Sequence, residues 1–179
     1  MEVKHVRLKL NLDGIKLYFK VKGYKKSNDN NWEDEWCTVE LNVQSENWLS
    51  YSQSGELLLA CEVEEILSWL KDLIEDKITE SKEVEFIEPD FKIVLNPKKD
   101  LRNDPRYTYV KSGYEIVDVD AEFRVSFWNG GLTANYLSLR MDREDITAFI
   151  TYLSVITKQI NKADDAVQSL LKDGILLEY

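Results

Sequence analysis

Residues 5–22, HVRLKLNLDGIKLYFKVK, hold two runs of alternating apolar and polar residues on either side of Asp13-Gly14. Asp-Gly is a preferred two-residue turn between antiparallel strands, because both residues tolerate the positive φ angles of a type I′ turn. The turn would put eight apolar side chains on one face, in the pairs Leu12 with Ile15, Leu10 with Leu17, Leu8 with Phe19 and Val6 with Val21. A slip of one residue would turn them all to the other face, so the pattern predicts a hairpin in one register.

The opposite face of this hairpin is basic and carries Arg7, Lys9, Lys16, Tyr18 and Lys20. Basic residues interleaved with an aromatic residue are typical of RNA-binding surfaces. Lysines also keep exposed strands and sheet edges from pairing with other proteins. We favour this solvated or edge-protecting role, because the rest of the chain is acidic.

The net charge of the protein is −10, and it is unevenly distributed. Residues 1–26 contain eight lysines and arginines against Glu2 and Asp13, which leaves −16 on the remaining residues. Such a surface repels phosphates, so binding to nucleic acid in general is not expected. A positively charged partner suits it better.

The rest of the chain alternates between strand patterns and two long helical patterns. We predict strands in 5–22 and 36–60, a helix over 62–78, strands in 83–141, a helix over 143–160 and a C-terminal tail over 161–179 with a short helix. The first helix has an apolar stripe from Val63 to Ile78 but no good N-cap residue. The second follows Asp142, which is a good N-cap. A long polar connection covers residues 96–113.

A second hairpin is predicted within residues 115–141, with Asn129-Gly130-Gly131 as a three-residue turn. The expected pairs on its apolar face are Phe127 with Thr133, Val125 with Asn135, Phe123 with Leu137, Ala121 with Leu139 and Val119 with Met141. On the other face the same register joins Asp120 with Arg140 and Arg124 with Tyr136, which are favourable cross-strand pairs.

These elements predict an α+β fold, in which two amphipathic helices pack on mostly antiparallel sheet. At 179 residues, a single domain over 1–179 is expected. No apolar run approaches the about 18 residues of a membrane span, and the N-terminus lacks the pattern of a signal peptide. Because two cysteines are too few for a disulfide scaffold, we expect a cytoplasmic protein.

The stretch NNWEDEWCTVEL, residues 30–41, is the most distinctive candidate site. Trp32 and Trp36 bracket the acidic residues Glu33, Asp34 and Glu35. One interpretation is a calcium loop with ligands Asp29, Asn31, Glu33 and Glu40, but Asp34 occupies the position where such loops require glycine. The other is a solvated loop before a strand. Because aromatic side chains are enriched at the centres of protein interfaces, it would serve as a contact surface for a protein partner.

The sequence patterns give little support for catalytic residues. Glu85, Glu88 and Asp90 offer carboxylates without a partner at a fixed spacing. The alternating row Asp118, Asp120 and Glu122 suits a cation, or a solvated face neutralised by arginines. A thiol hydrolase would need Cys61 or Cys37 together with the lone His5, and no third member of a triad is evident.

The order of several motifs resembles that of the WapI-type immunity proteins, which are small bacterial proteins that neutralise a contact-dependent toxin made by the same cell. The motifs are Asn30-Asn31-Trp32 with Trp36, EVEEILSWLKDL at 62–73, FIEPDFKIVL at 86–95 and DREDITAFITYL at 142–153. The resemblance covers residues 5–157 by layout and implies no catalytic residues.

The expected function is therefore non-enzymatic binding of a protein, with neutralisation of a basic toxin by occlusion of its active site. Trp32, Glu33, Asp34, Glu35 and Trp36 are the candidate contacts, and no metal, cofactor or membrane is expected. One alternative is a structural or regulatory module that associates with itself through a sheet edge. The other is the hydrolase that would use Cys61 or the carboxylates.

Overall fold

The computed structural model describes residues 5–26 and 35–179, which contain eleven strands and three α-helices. The strands are β1 (Val6–Leu12), β2 (Ile15–Lys22), β3 (Trp36–Ser45), β4 (Leu49–Leu59), β5 (Lys82–Val84), β6 (Phe91–Asn96), β7 (Lys99–Asp100), β8 (Ile116–Val117), β9 (Asp120–Trp128), β10 (Leu132–Met141) and β11 (Leu176–Glu178). The helices are α1 (Ala60–Ile74), α2 (Arg143–Ile156) and α3 (Asp165–Lys172). This composition confirms the α+β fold class.

The first hairpin forms in the predicted register. Residues on β1 and β2 face each other as Leu8 with Phe19, Leu10 with Leu17 and Leu12 with Ile15. At the turn, Asp13 and Gly14 have φ angles of 53° and 87°, as a type I′ turn requires. The alternating sequence and the turn therefore act together to fix this register.

Two antiparallel sheets make up most of the fold. The first has the order β11-β1-β2-β3-β4, and the second has the order β10-β9-β6-β5. The short strands β7 and β8 pair with each other within the long polar connection. Since β2 lies inside the first sheet, its lysines line a sheet face, and their predicted edge-protecting role is wrong.

The second hairpin differs from its predicted register. Near the turn, Leu132 faces Trp128, which agrees with the three-residue turn, but an irregularity before Tyr136 shifts all later pairs by two residues. Phe123 therefore faces Leu139, and Ala121 faces Met141. A shift of two keeps every side chain on its predicted face, because the strand period is two.

Both predicted polar pairs of this hairpin still touch, although they are now diagonal neighbours. The Arg140 Nε donates to Asp120 Oδ2 at 3.0 Å, and the Arg124 guanidinium lies 5.5 Å from the centre of the Tyr136 ring. Diagonal neighbours in a sheet are within reach of such long side chains.

Both long helices end four residues before their predicted ends. Asp76, with φ 57°, follows α1, and Lys158, with φ 59°, follows α2. A left-handed residue stops a helix, because the chain then turns back over the last carbonyl groups. Ile78 and Ile160 still pack against the core from outside the helices, which explains why the apolar stripe extended to them.

An aromatic cluster joins the two sheets and α2 at the centre of the core. The ring of Phe19 on β2 makes edge-to-face contacts with Phe91, Phe123, Phe149 and Tyr152, at centroid distances from 5.3 to 6.2 Å. The Tyr152 hydroxyl, which is buried, accepts a hydrogen bond of 2.7 Å from the Val21 backbone N–H. Both sheets and the helices thus contribute to one buried cluster.

Candidate functional site

Two of the five predicted contact residues, Glu35 and Trp36, lie where β3 begins, and the fold places them beside the start of α1. The backbone N–H of Ala60 donates to the carbonyl oxygen of Glu35 at 2.8 Å, and Trp36 faces Leu59 across β3 and β4. Glu35 and Trp36 are both half-buried. The other three, Trp32, Glu33 and Asp34, lie outside the residues that the structure describes.

The buried carboxylate of Glu62 holds this end of the molecule together. Its Oε2 accepts a hydrogen bond from the Leu59 N–H and its Oε1 accepts one from the Ile87 N–H, both at 2.8 Å. The first bond is the part of a capping box in which the glutamate three residues after the N-cap accepts from the N-cap backbone; the Leu59 side chain has no oxygen to make the other part. The second bond holds the segment around Ile87 against the first turn of α1.

The segments that these contacts join to the start of α1 carry several carboxylates and the exposed side chain of Ile87. We call this region the acidic surface; its members are Glu35, Trp36, Glu64, Glu65, Ile87 and Glu88. Ile87 is 57% exposed, and Glu65 is exposed on the helix. The hydroxyl of Tyr24 donates to Glu64 and so joins the end of β2 to the same region.

The two cysteine thiols beside the acidic surface have raised pKa values, to which its carboxylates contribute. The pKa of the Cys37 thiol is raised to about 11, first by burial and then by the nearby Cys61, Glu35 and Glu62. Partial burial of the sulphur and the carboxylates of Glu62 and Glu65 raise the pKa of Cys61. Burial is the larger cause for both thiols, and the negative charge of the nearby carboxylates adds to it.

The raised pKa values of the two thiols argue against the thiol hydrolase. A nucleophilic cysteine needs a lowered pKa, whereas the thiols of Cys37 and Cys61 both have raised values. His5 stacks on Tyr179 with the ring centres 5.7 Å apart, and no hydrogen bond in the described residues joins it to either thiol.

The other carboxylate groups are dispersed or neutralised. Asp90 is buried and burial raises its pKa, whereas Glu85 is exposed near Lys92, so these two do not form an acid–base pair. In the alternating row each carboxylate accepts a hydrogen bond from an arginine: Asp118 from Arg143 at 2.8 Å, Asp120 from Arg140 at 3.0 Å and Glu122 from Arg124 at 2.9 Å. The row lines a cavity of about 380 Å³ and fits the arginine-neutralised interpretation.

The calcium interpretation rested on Asp29, Asn31 and Glu33, which lie outside the described residues, and on Glu40. Glu40 lies on β3 and forms ion pairs with Lys20 and Lys22 of β2. Within residues 5–26 and 35–179, no group of three or more His, Cys, Asp or Glu side chains is placed to hold a metal ion.

Sequence patterns alone missed Glu64, Glu65 and Ile87 as members of the candidate site. The two glutamates fit the solvent side of an amphipathic helix, and Ile87 fits a strand. Their proximity to Glu35 depends on the long-range contacts of Ala60 and Glu62. The one local signal was Glu62, three residues after the N-cap, a position where glutamate often bonds back to the cap backbone.

No described helix is long and apolar enough to cross a membrane. Two comparisons with known proteins address the identity of the chain. No curated protein matches the chain. The family model described as "Immunity protein WapI-like family" matches residues 7–161. The match includes both sheets except for β11, both long helices and every member of the acidic surface. The chain therefore belongs to the WapI-like family of immunity proteins.

Proposed function

We propose that this immunity protein neutralises a toxin by binding it through the acidic surface at the start of α1 and covering the toxin's active site. The single observation that carries this proposal is that the exposed Ile87 is held at the first turn of α1, where the helix and the segments bonded to it carry Glu35, Glu64, Glu65 and Glu88. Apolar anchors surrounded by charged groups are typical of tight protein interfaces. The family supports a protein toxin as the partner.

The chemistry of the surface favours a basic toxin domain. A toxin that acts on nucleic acid needs a positively charged cleft to hold phosphates. Carboxylates that enter such a cleft would replace the phosphates and speed the encounter through electrostatic steering. Neutralisation would then need no catalysis by the immunity protein, and we place it in the cytoplasm.

The test is the affinity for the C-terminal domain of the toxin encoded beside this protein, measured by isothermal titration calorimetry. Glu65→Lys should weaken binding by about 10-fold or more, because it places a positive charge against a positive partner. Glu65 is exposed and is well suited to this change, because its side chain makes no hydrogen bond or ion pair with the residues that the structure describes.

Glu144→Lys is the matched control. Glu144 is also exposed near the start of a helix, but Arg143 beside it contacts the carbonyl of Ile74 at the far end of α1. Glu65 and the end of α1 that Arg143 contacts are therefore separated by about 14 Å along the helix axis. If the two variants lower affinity equally, or if neither does, the acidic surface is not the toxin-binding site.

A further inference from the structure

Strand β4 forms a long free edge of the first sheet. It lies at one end of the sheet order, whereas the opposite end is formed by β11, which has only three residues. Among the described residues, only β3 pairs with β4 through the backbone. In an antiparallel strand, about half of the N–H and C=O groups point away from a single neighbour, so a row of them is available to another strand.

The usual protections of an edge strand are missing over residues 49–56, LSYSQSGE. Lysine, proline, bulges or short length normally keep edges from pairing. This stretch has no lysine, arginine or proline, and the only irregularity of β4 lies beyond it, at Leu57. The edge strand β10 of the second sheet, by contrast, has an irregularity before Tyr136 and carries Arg140.

The sequence of this edge is complementary to itself. Its exposed side chains alternate as Ser50, Ser52, Ser54 and Glu56. In an antiparallel pair of two copies centred on Ser52, each Ser50 faces the second copy's Ser54, and each Glu56 faces the second copy's Trp48. Like charges therefore never face each other, and Trp48, which is 69% exposed, gains a neighbouring strand.

We infer that two copies of the protein form a two-fold symmetric dimer by antiparallel pairing of β4 with β4. A self-complementary edge favours a second copy over a strand of another protein, because a two-fold axis lets one surface satisfy both partners. The pairing uses residues 48–56, none of which belongs to the acidic surface.

The expected dimer is weak and responds to salt in a characteristic way. The nine paired residues of each copy span only about 30 Å, which gives an interface smaller than the standard size. Each copy carries a net charge of −10, so the two copies repel each other at low salt. Salt screens this repulsion, and dimerisation should therefore strengthen as the salt concentration rises.

The test is sedimentation equilibrium over a concentration series of the full chain at low and high salt. Wild type should shift from monomer to dimer as protein or salt is increased. Ser52→Lys should weaken the dimer by about 10-fold or more, because two lysines would meet at the two-fold axis. Asn11→Lys adds the same charge at an exposed position on β1 and should leave the dimer unchanged.

A cross-linking experiment checks the register. In a Cys61→Ser background, Ser52→Cys should form a disulfide-linked dimer with diamide as the oxidant, because the two thiols face each other at disulfide distance. Asn11→Cys in the same background should remain monomeric on a non-reducing gel.

Four outcomes would overturn the inference. They are a monomer at every concentration, a dimer that persists in Ser52→Lys, open-ended larger oligomers, and a monomer whose toxin binding is lost in Ser52→Lys. The last would assign the edge to a strand of the toxin. Loss of toxin binding in Glu65→Lys alone would leave the dimer intact, so the two proposals fail separately.

Discussion

At the scale of single residues, Glu62 is the side chain on which the candidate site depends most. It is only 6% exposed, yet no lysine or arginine of the described residues pairs with it; its carboxylate accepts hydrogen bonds from the backbone N–H groups of Leu59 and Ile87. A buried carboxylate is tolerated when it accepts such bonds, and each backbone N–H gains a charged acceptor in return. The two hydrogen bonds of Glu62 thereby join the start of α1 to the segment around Ile87.

Glu62→Gln should lower the free energy of unfolding by about 1–3 kcal/mol, because the amide has only one oxygen for two buried N–H groups. Urea unfolding followed by circular dichroism measures this change. Glu65→Gln removes the same charge from an exposed position of the same helix and should change stability by less than about 0.5 kcal/mol. Equal effects of the two substitutions would show that the two hydrogen bonds of Glu62 do not hold the helix start.

At the scale of elements, all three helices end in the same way. The N–H of Lys77 donates to the carbonyl of Asp72 after α1, that of Gln159 to Ser154 after α2, and that of Ile175 to Leu170 after α3. The residue before each donor is left-handed: Asp76, Lys158 and Gly174. This arrangement is the Schellman motif, in which the left-handed residue is usually glycine.

Lys158→Gly should raise the free energy of unfolding by about 0.5–1 kcal/mol, because glycine removes the strain of a side chain at positive φ. Differential scanning calorimetry would show a higher Tm. Gly174→Ala is the reciprocal control and should destabilise by a similar amount, since an added Cβ meets no other atom within 4 Å and only the backbone strain counts. A lower Tm for Lys158→Gly would contradict the strain at this helix end.

The sequence predicts these elements well where a local signal exists. Asp13-Gly14 fixed the first register, and Asp142 marked the start of α2, where it accepts hydrogen bonds from the N–H groups of Glu144 and Asp145. The predicted ends of both long helices lie too far along the chain. The residues that end them, Asp76 and Lys158, are not glycine, so the sequence does not indicate a left-handed backbone there. The irregularity before Tyr136 could not be predicted either, because no glycine or proline occurs at that point of β10.

At the scale of the whole molecule, charge is divided between regions. The outward face of the first hairpin is basic, and its cations pair with neighbours: Arg7 lies over the Tyr18 ring, and Lys20 contacts Glu40 and the Tyr179 ring. The start of α1 gathers carboxylates instead. The positive charges of the N-terminal hairpin are thus partly neutralised by neighbours within the first sheet.

Only part of the candidate site could be predicted from the sequence. The tryptophans and acidic residues of 32–36 stand out because they are adjacent in sequence. Glu65 and Ile87 lie on segments that only folding brings to Glu35 and Trp36, and 21 residues separate Glu65 from Ile87 in the chain. Surfaces built from several elements leave no periodic pattern, and their members are indistinguishable from ordinary solvent-facing residues in the sequence.

The most direct measurement is the association rate of the immunity protein with its toxin domain, followed by stopped-flow fluorescence between about 50 and 500 mM salt. Docking of the acidic surface on a basic cleft predicts a rate that falls steeply with salt, and a shallower dependence for Glu65→Lys than for Glu144→Lys. A rate that is independent of salt, or identical salt dependences for the two variants, would contradict it.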